Sequence, residues 1–287
     1  MSAFKKTPFV LVTGGKGGVG KTTVAGNMGV ELARTGRRVL LVDLDLGLSN
    51  LDVLFGLSGV TKRIDEALQG SCSIQDCIVE GPGGVHLLPA SSGEEKMGAL
   101  SAERRLALFE LIAEIAPRYD IIVGDSAAGI GPDVLGFAAA ADRVFVVTTP
   151  ELAALTDAYG LIKALGQHGA RSDLEIPTPE IIVNHAGGVE EGKAVAAKLR
   201  SICERFLARS PRQAGWLPRS VQVARSGASQ SPFALRAKRG LEQLCIGQIV
   251  ARLERLAGRG GARDQEAAQP PMPTKLIPMP PRASYSR

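Results

Sequence analysis

The chain has 287 residues, 45% of them hydrophobic and 4% aromatic, and a formal net charge of +5. That length and apolar content suit a large packed core and exclude an intrinsically disordered chain. No apolar run reaches the ~18 residues of a membrane span, and the apolar stretch 9–12 runs into glycines instead of a signal-peptide core, so a cytoplasmic protein is expected.

Short, unalternating apolar runs, of the kind buried on both faces of a parallel sheet, alternate with helix-length segments. The first predicted strand, 9–13, leads into Gly15-Lys16-Gly17-Gly18-Val19-Gly20-Lys21-Thr22 and a helix over 21–35. This is G-x-x-x-x-G-K-[ST] in the strand–loop–helix setting that the motif requires. Glycines let backbone N–H groups curl around phosphate oxygens at the positive end of a helix. Lys21 is placed to neutralise β- and γ-phosphates and the Thr22 hydroxyl to ligate Mg²⁺, with Thr23 in the same phosphate-binding set. Gly15, Gly17 and Gly20 also satisfy G-x-G-x-x-G, with Asp43 near the distance of a ribose-binding acid. A dinucleotide site, however, has no use for the pair Lys21-Thr22. A nucleoside triphosphate with Mg²⁺ is the expected ligand.

The second strand, 39–43, ends on Asp43 with Asp45 just beyond, at the carboxyl edge where ligands bind in open α/β sheets. A strand at 85–88 follows, then a helix over 101–116 opened by Ser101 and closed by Pro117. The strand 121–125 ends on Asp125 in the Walker B arrangement, a carboxylate that reaches Mg²⁺ through water. One acid after a strand is usually a turn or cap, but three around one phosphate loop point to chemistry. Helices over 133–141, 151–167, 190–208 and 232–257 and strands 144–148 and 181–184 complete an α/β fold: a doubly wound, mostly parallel sheet with helices on both faces. Residues 1–257 form the predicted domain, and the basic, proline-rich tail 258–287 is expected to be disordered. Cys72, Cys77, Cys203 and Cys245 show no C-x-x-C pair, and His86, His168 and His185 are equally scattered. Reduced thiols and no metal cluster are expected.

The second lysine of the loop, Lys16, resembles the deviant Walker A box of the MinD/ParA family of P-loop NTPases (SIMIBI type), and the resemblance covers residues 9–257. It implies an ATP-dependent homodimer in which Lys16 reaches the partner's ATP, where an ammonium can neutralise charge building on the transferring phosphate. It also gives catalytic roles to Lys16, Lys21 and Asp45. Residues 43–52 resemble the family's switch I, with Asp45 positioning the attacking water and Asp43 supporting Lys21 and the Mg²⁺ shell. Residues 125–130 resemble switch II, although Ala127 stands where many members have proline. Glu151, Asn184 and Pro218 fall at nucleotide-contact positions, the last two against adenine, while Leu152-Ala153-Ala154 replaces the usual Pro-Thr-Ser after the glutamate.

Val12-Thr13-Gly14-Gly15, Leu51-Asp52-Val53-Leu54-Phe55-Gly56-Leu57 and Thr156-Asp157-Ala158-Tyr159 look most like the flagellar-number regulators FlhG and FleN. That branch implies slow, partner-stimulated ATP hydrolysis and a switch acting on flagellar number, placement or gene expression. Its partner would be a GTPase of the FlhF kind or a flagellar transcription activator. Only eight residues precede the first strand, too few for the segment by which longer FlhG proteins stimulate FlhF, which favours the transcriptional partner.

Charge adds a second theme. Residues 1–197 hold 17 Lys/Arg and 24 Asp/Glu, whereas residues 198–255 hold 12 and 3. A basic C-terminal third suits an anionic partner, DNA or a membrane surface, and ordinary solvated arginines are the plain alternative. A ParA-type partition ATPase would hold DNA through Arg200, Arg205, Arg209, Arg219, Arg225, Arg236, Lys238 and Arg239. A MinD-like ATPase would dock peripherally, at the inner membrane face or a cell pole, through an amphipathic helix. Here that helix would be 241–257, with Leu241, Cys245, Ile249, Leu253 and Leu256 in one stripe and Arg252, Arg255 and Arg259 beside it. The same stripe is what the last core helix of the domain shows.

Overall fold

Val10 and Val12 pack on one face of a sheet and Leu11 between them on the other, the period-two alternation of a strand with a buried layer on each side. The computed structural model describes residues 7–91 and 100–258, with side chains as far as 253. In chain order the elements are β1 (Phe9–Gly14), α1 (Lys21–Arg34), β2 (Val39–Leu44), α2 (Leu51–Leu54), α3 (Ile64–Leu68), β3 (Val79–Gly81), β4 (Val85–Leu88), α4 (Ala102–Ile115), β5 (Ile121–Ala128), α5 (Pro132–Ala140), β6 (Arg143–Thr148), α6 (Leu152–Ser172), β7 (Glu180–Ala186), α7 (Val189–Leu207), β8 (Arg212–Pro218), α8 (Val221–Ala228) and α9 (Leu241–Gly258). The strands form one sheet in the order β3-β4-β2-β5-β1-β6-β7-β8, with β3–β4 antiparallel and every other pair parallel.

Helices cover both faces. Met28 of α1 and Ile249 of α9 meet Val10, Val12, Leu41 and Phe145 on one side. Leu108 of α4, Phe137 of α5, Leu161 of α6 and Leu199 of α7 meet Leu11, Val42 and Val183 on the other. Strands β2 to β5 lie to one side of β1 and β6 to β8 to the other, so the carboxyl end of β1 is a topological switch point, where open α/β sheets form their ligand crevice.

Several expectations need correction. β3 and β8 are strands that the sequence pattern does not announce. β3 is three residues long and an antiparallel edge, too short to carry a periodicity. β8 opens on Arg212 and Gln213 and contains Gly215, where a Cβ would lie 2.5 Å from Ile249 Cγ1, so α9 presses too closely for any side chain. The helix expected over 232–257 begins only at Leu241. Phe233–Leu235 is a separate 3₁₀ turn, and Gly240 caps α9 by accepting the Leu244 N–H while donating its own to Gln243 Oε1. The short helices α2, α3 and α8 were not expected, and α6 runs to Ser172, where Asp173 at φ 51° ends it. Ser101 does cap α4, accepting the Arg104 N–H at 3.2 Å, and the α-helix stops at Ile115 before Pro117.

Cys245, Ile249 and Leu253 are buried against the sheet, so α9 is a core helix along its described side chains; Arg255, Leu256, Arg259 and the tail 259–287 lie outside them. Two cysteines that look scattered in the sequence are neighbours in space, with Cys72 Sγ 3.5 Å from Cys77 Sγ and all four thiols free. Among the described residues no helix is long and apolar enough to cross a membrane.

Candidate functional site

β1 delivers the chain to the carboxyl edge and α1 carries it away, and residues 15–20 between them form a tight loop. Gly18 and Gly20 have φ of 78° and 93°, the left-handed region that only glycine enters without strain. Gly20 is the N-cap of α1 and no side chain caps the helix, so its first N–H groups are left to whatever the loop holds. The loop is tightly walled: a Cβ on Gly15 would lie 2.1 Å from the Asp157 carbonyl oxygen of α6, and one on Gly20 would lie 2.2 Å from Asn184 Nδ2. Gly17 faces open space. Val19 is buried in the α1-side core, and Lys21 is buried at the first turn of the helix.

Asn184 is the strut beneath this loop. It is buried at the end of β7, donates Nδ2 to the Val19 carbonyl at 2.9 Å and accepts the His185 N–H on Oδ1 at 2.9 Å. Pro218, which ends β8, is in register with Ala186, two residues past Asn184, so the two residues that the family resemblance sets against adenine lie on neighbouring strands. The side chain of Asn184 is turned to the loop backbone in this structure.

Asp43 lies within β2, Asp45 just past it and Asp125 within β5, which runs on to Ala128 instead of ending at Asp125 as expected. Asp43 and Asp125 are register partners on β2 and β5 and are both buried. Asp43 Oδ1 accepts the Asp45 N–H at 3.0 Å, and Oδ2 accepts the Ser49 hydroxyl at 2.8 Å and the Asn50 and Leu51 N–H groups at 3.0 and 3.1 Å. Burial pushes the Asp43 carboxyl up to about 6 despite these donors. Both of its oxygens are therefore engaged in shaping residues 45–51. Asp125 is pushed well above the usual carboxylate range by burial and by the charge of Asp43, opposed by the Thr22 hydroxyl and by Lys21, and its Oδ1 has no hydrogen-bond partner among the described residues. An orphaned carboxylate oxygen deep in a protein needs a cation or a water, and one beside a threonine hydroxyl and a lysine suits a divalent ion at the loop. The Asp45 carboxylate accepts no hydrogen bond from the described residues and is partly exposed.

Lys16 and Glu151 also meet, Nζ to Oε2 at 3.5 Å, with side chains 41% and 69% exposed, so the second lysine of the loop is lightly held within its own chain. Two further contacts had no signal in the sequence. Ser49 is one of the donors to Asp43. Arg63 Nη2 pairs with the buried Asp52 Oδ2 at 2.9 Å and so ties the 45–52 segment to the base of α3. Of the cations that could meet DNA, Arg200 is paired with Glu204, Arg239 with Glu31, and Arg209 is directed at the Ile176 carbonyl.

Fold and loop together define a P-loop nucleotide-binding protein of the doubly wound α/β class. An AAA-domain family model (AAA_31) matches residues 8–176. The chain is 38% identical to the antiactivator FleN of Pseudomonas aeruginosa over 231 residues, 80% of each chain. It is 36% identical to the flagellum site-determining protein YlxH of Helicobacter pylori over 70% of this chain and 66% of that one. The septum site-determining protein MinD of Pyrococcus horikoshii, solved as a complex with Mg-ADP, superposes with a TM-score of 0.73 at 22% identity, covering 88% of this chain and 98% of that one, a likeness of fold. The chain belongs to the MinD/ParA family of P-loop ATPases, with its likeness on the FleN side of that family.

Proposed function

We propose that this protein is an ATP-dependent, dimerising switch that regulates flagellar number or placement, or flagellar gene expression. The observation that carries the reading is the orphaned Asp125 Oδ1 beside Lys21 and Thr22, under a glycine loop whose helix has no cap of its own. In this reading the N–H groups of residues 15–22 hold the phosphates of ATP, Lys21 neutralises them, and Thr22 and Asp125 hold Mg²⁺. Mg²⁺ when bound neutralises charge that builds on the phosphates during transfer. Asp43 keeps the 45–51 segment in place, and the unengaged Asp45 carboxylate orients the attacking water. Pro218 bounds the adenine end of the site, Asn184 supports the phosphate loop through the Val19 carbonyl without reading the base, and Glu151 lies beside Lys16. Exchange of Glu151 for the phosphates of a second copy frees Lys16 to complete that copy's site, which makes hydrolysis slow and dependent on association.

The likeness to a protein named an antiactivator supports a transcription activator as the partner, ahead of a flagellar GTPase of the FlhF kind. Partition of DNA is less well supported, because four of its eight candidate cations, Arg200, Arg209, Arg236 and Arg239, already have partners within the chain. Docking on a membrane through 241–257 is less well supported, because Cys245, Ile249 and Leu253 of its apolar stripe are buried in the core while Leu241 is exposed. Electron microscopy of a strain lacking the gene tests the reading: more flagella per cell are expected. Unchanged flagella with misplaced chromosomes or lost plasmids would move the protein to the partition class.

A further inference from the structure

The amino-terminal edge of the sheet, opposite the phosphate loop, holds a second concavity. A cleft of about 510 Å³ opens among the segment before β2, the turn between β3 and β4, and the segment between α4 and β5. Among the described residues its lining includes Arg37, Arg38, Arg118, His86 and Tyr119, and no acidic side chain. Arg38 is already held, its backbone N–H and its guanidinium bonding Asp120 at 2.9 and 3.0 Å. Among the described residues neither Arg37 nor Arg118 stands in an ion pair. Arg200 and Arg239, by contrast, have carboxylate partners. The cleft lining is also ordered: His86 Nδ1 lies 2.9 Å from the Tyr119 hydroxyl, with the rings edge to face. Gly84, at φ 78°, leaves open space where a side chain would stand.

An unpaired guanidinium is a planar fork of donors matched to phosphate oxygens, and two of them in one cleft match a dianion better than a single carboxylate. The volume is that of a small-molecule cleft, roughly 300–1,000 Å³. We propose that this cleft is a second anion site, separate from the phosphate loop, for a small phosphate-bearing ligand. The competing account treats Arg37 and Arg118 as counter-charges to the carboxyl-terminal ends of α1 and of the helical stretch that follows α4. That account predicts a loss of stability on their removal and no change in ligand binding.

Calorimetric titration of pyrophosphate into the full chain, with the phosphate loop saturated by Mg-ADP, separates the two. One binding event that weakens with salt is expected. Arg37→Gln combined with Arg118→Gln should weaken it at least about tenfold while melting temperature and ATP turnover hold, and the double lysine substitution should fall between, since it keeps charge and loses the fork. Sedimentation with phosphatidylglycerol vesicles, against phosphatidylcholine vesicles, identifies the source of the phosphate. Binding to the former alone, lost in the same glutamine variant, assigns it to a lipid headgroup. A parent protein that binds neither probe, or a glutamine variant that binds as the parent does, overturns the proposal.

Discussion

Asp43 and Asp125 face each other across β2 and β5, two buried carboxyls at the same level of the sheet, one saturated with donors and the other with an oxygen that has none among the described residues. Burial raises Asp43 to about 6, and burial with the charge of Asp43 raises Asp125 well above the usual carboxylate range. An acid that holds its proton more tightly in the folded chain than in the unfolded one stabilises the fold below its unfolded pKa, and that contribution is lost as pH rises through the folded value. The Mg²⁺-free protein is thus expected to lose thermal stability as pH climbs from about 4 to above 6. Asp125→Asn keeps the shape and removes the repulsion. It should stabilise the ligand-free protein at pH 7 on the order of 1–2 kcal/mol, flatten this dependence and weaken Mg-nucleotide binding. Melting curves in chelator across that range check it; a variant no more stable than its parent at pH 7 contradicts it.

Asn184→Ala removes the strut under the loop and leaves the buried Val19 carbonyl without its donor, a loss of roughly 1–3 kcal/mol. Nucleotide affinity should fall about tenfold, equally for ATP and GTP, because a strut does not read the base. Titration with fluorescent analogues of both decides this. A loss confined to ATP would place the Asn184 amide on adenine instead. Gly20→Ala should be worse, since its Cβ would meet Asn184 at 2.2 Å and its φ of 93° suits glycine alone.

Ile249 and Leu244 separate a core helix from a membrane anchor. Ile249 is buried against Gly215, and Ile249→Ala should cost about 2–5 kcal/mol of stability. Leu244 is 53% exposed, and Leu244→Ala should stay within about 0.5 kcal/mol. Denaturant unfolding of both variants measures the difference. Equal, small losses would mean that α9 does not pack as described.

The lysines of the loop should part company. Lys21 is buried at the first turn of α1, and Lys21→Ala should abolish nucleotide binding. Among the described residues Lys16 reaches only Glu151, so Lys16→Ala should bind nucleotide near the parent's affinity and lose turnover. A Lys16→Ala protein hydrolysing ATP at the parent rate would remove the deviant-lysine role.

Much of this was legible in the sequence where the physics is local. A central parallel strand is a continuous apolar run bounded by turns, so 85–88 was read to the residue and β1, β2, β5, β6 and β7 to within a few. The phosphate loop was legible because its glycines, lysine and threonine are contiguous. β8 was hidden by the requirement for Gly215, which belongs to α9 and not to the strand's own pattern. The same holds at the site. Asp43, Asp45 and Asp125 could be found from strand ends, but the bond from Asn184 to Val19 spans 165 residues and the Lys16–Glu151 contact 135, distances over which only the folded sheet supplies the information.

The proposed switch rests on association governed by nucleotide, with Asp45 setting the lifetime of the associated state. Asp45 contributes no side-chain hydrogen bond to the described fold, so Asp45→Ala should leave folding and nucleotide binding intact while stopping hydrolysis. Sedimentation velocity is the direct measurement, on the parent and on Asp45→Ala, each with Mg-ADP and with Mg-ATP. The account predicts monomers with Mg-ADP, a transient dimer of the parent with Mg-ATP, and a persistent dimer of Asp45→Ala with Mg-ATP. An Asp45→Ala protein that binds Mg-ATP and stays monomeric would contradict it.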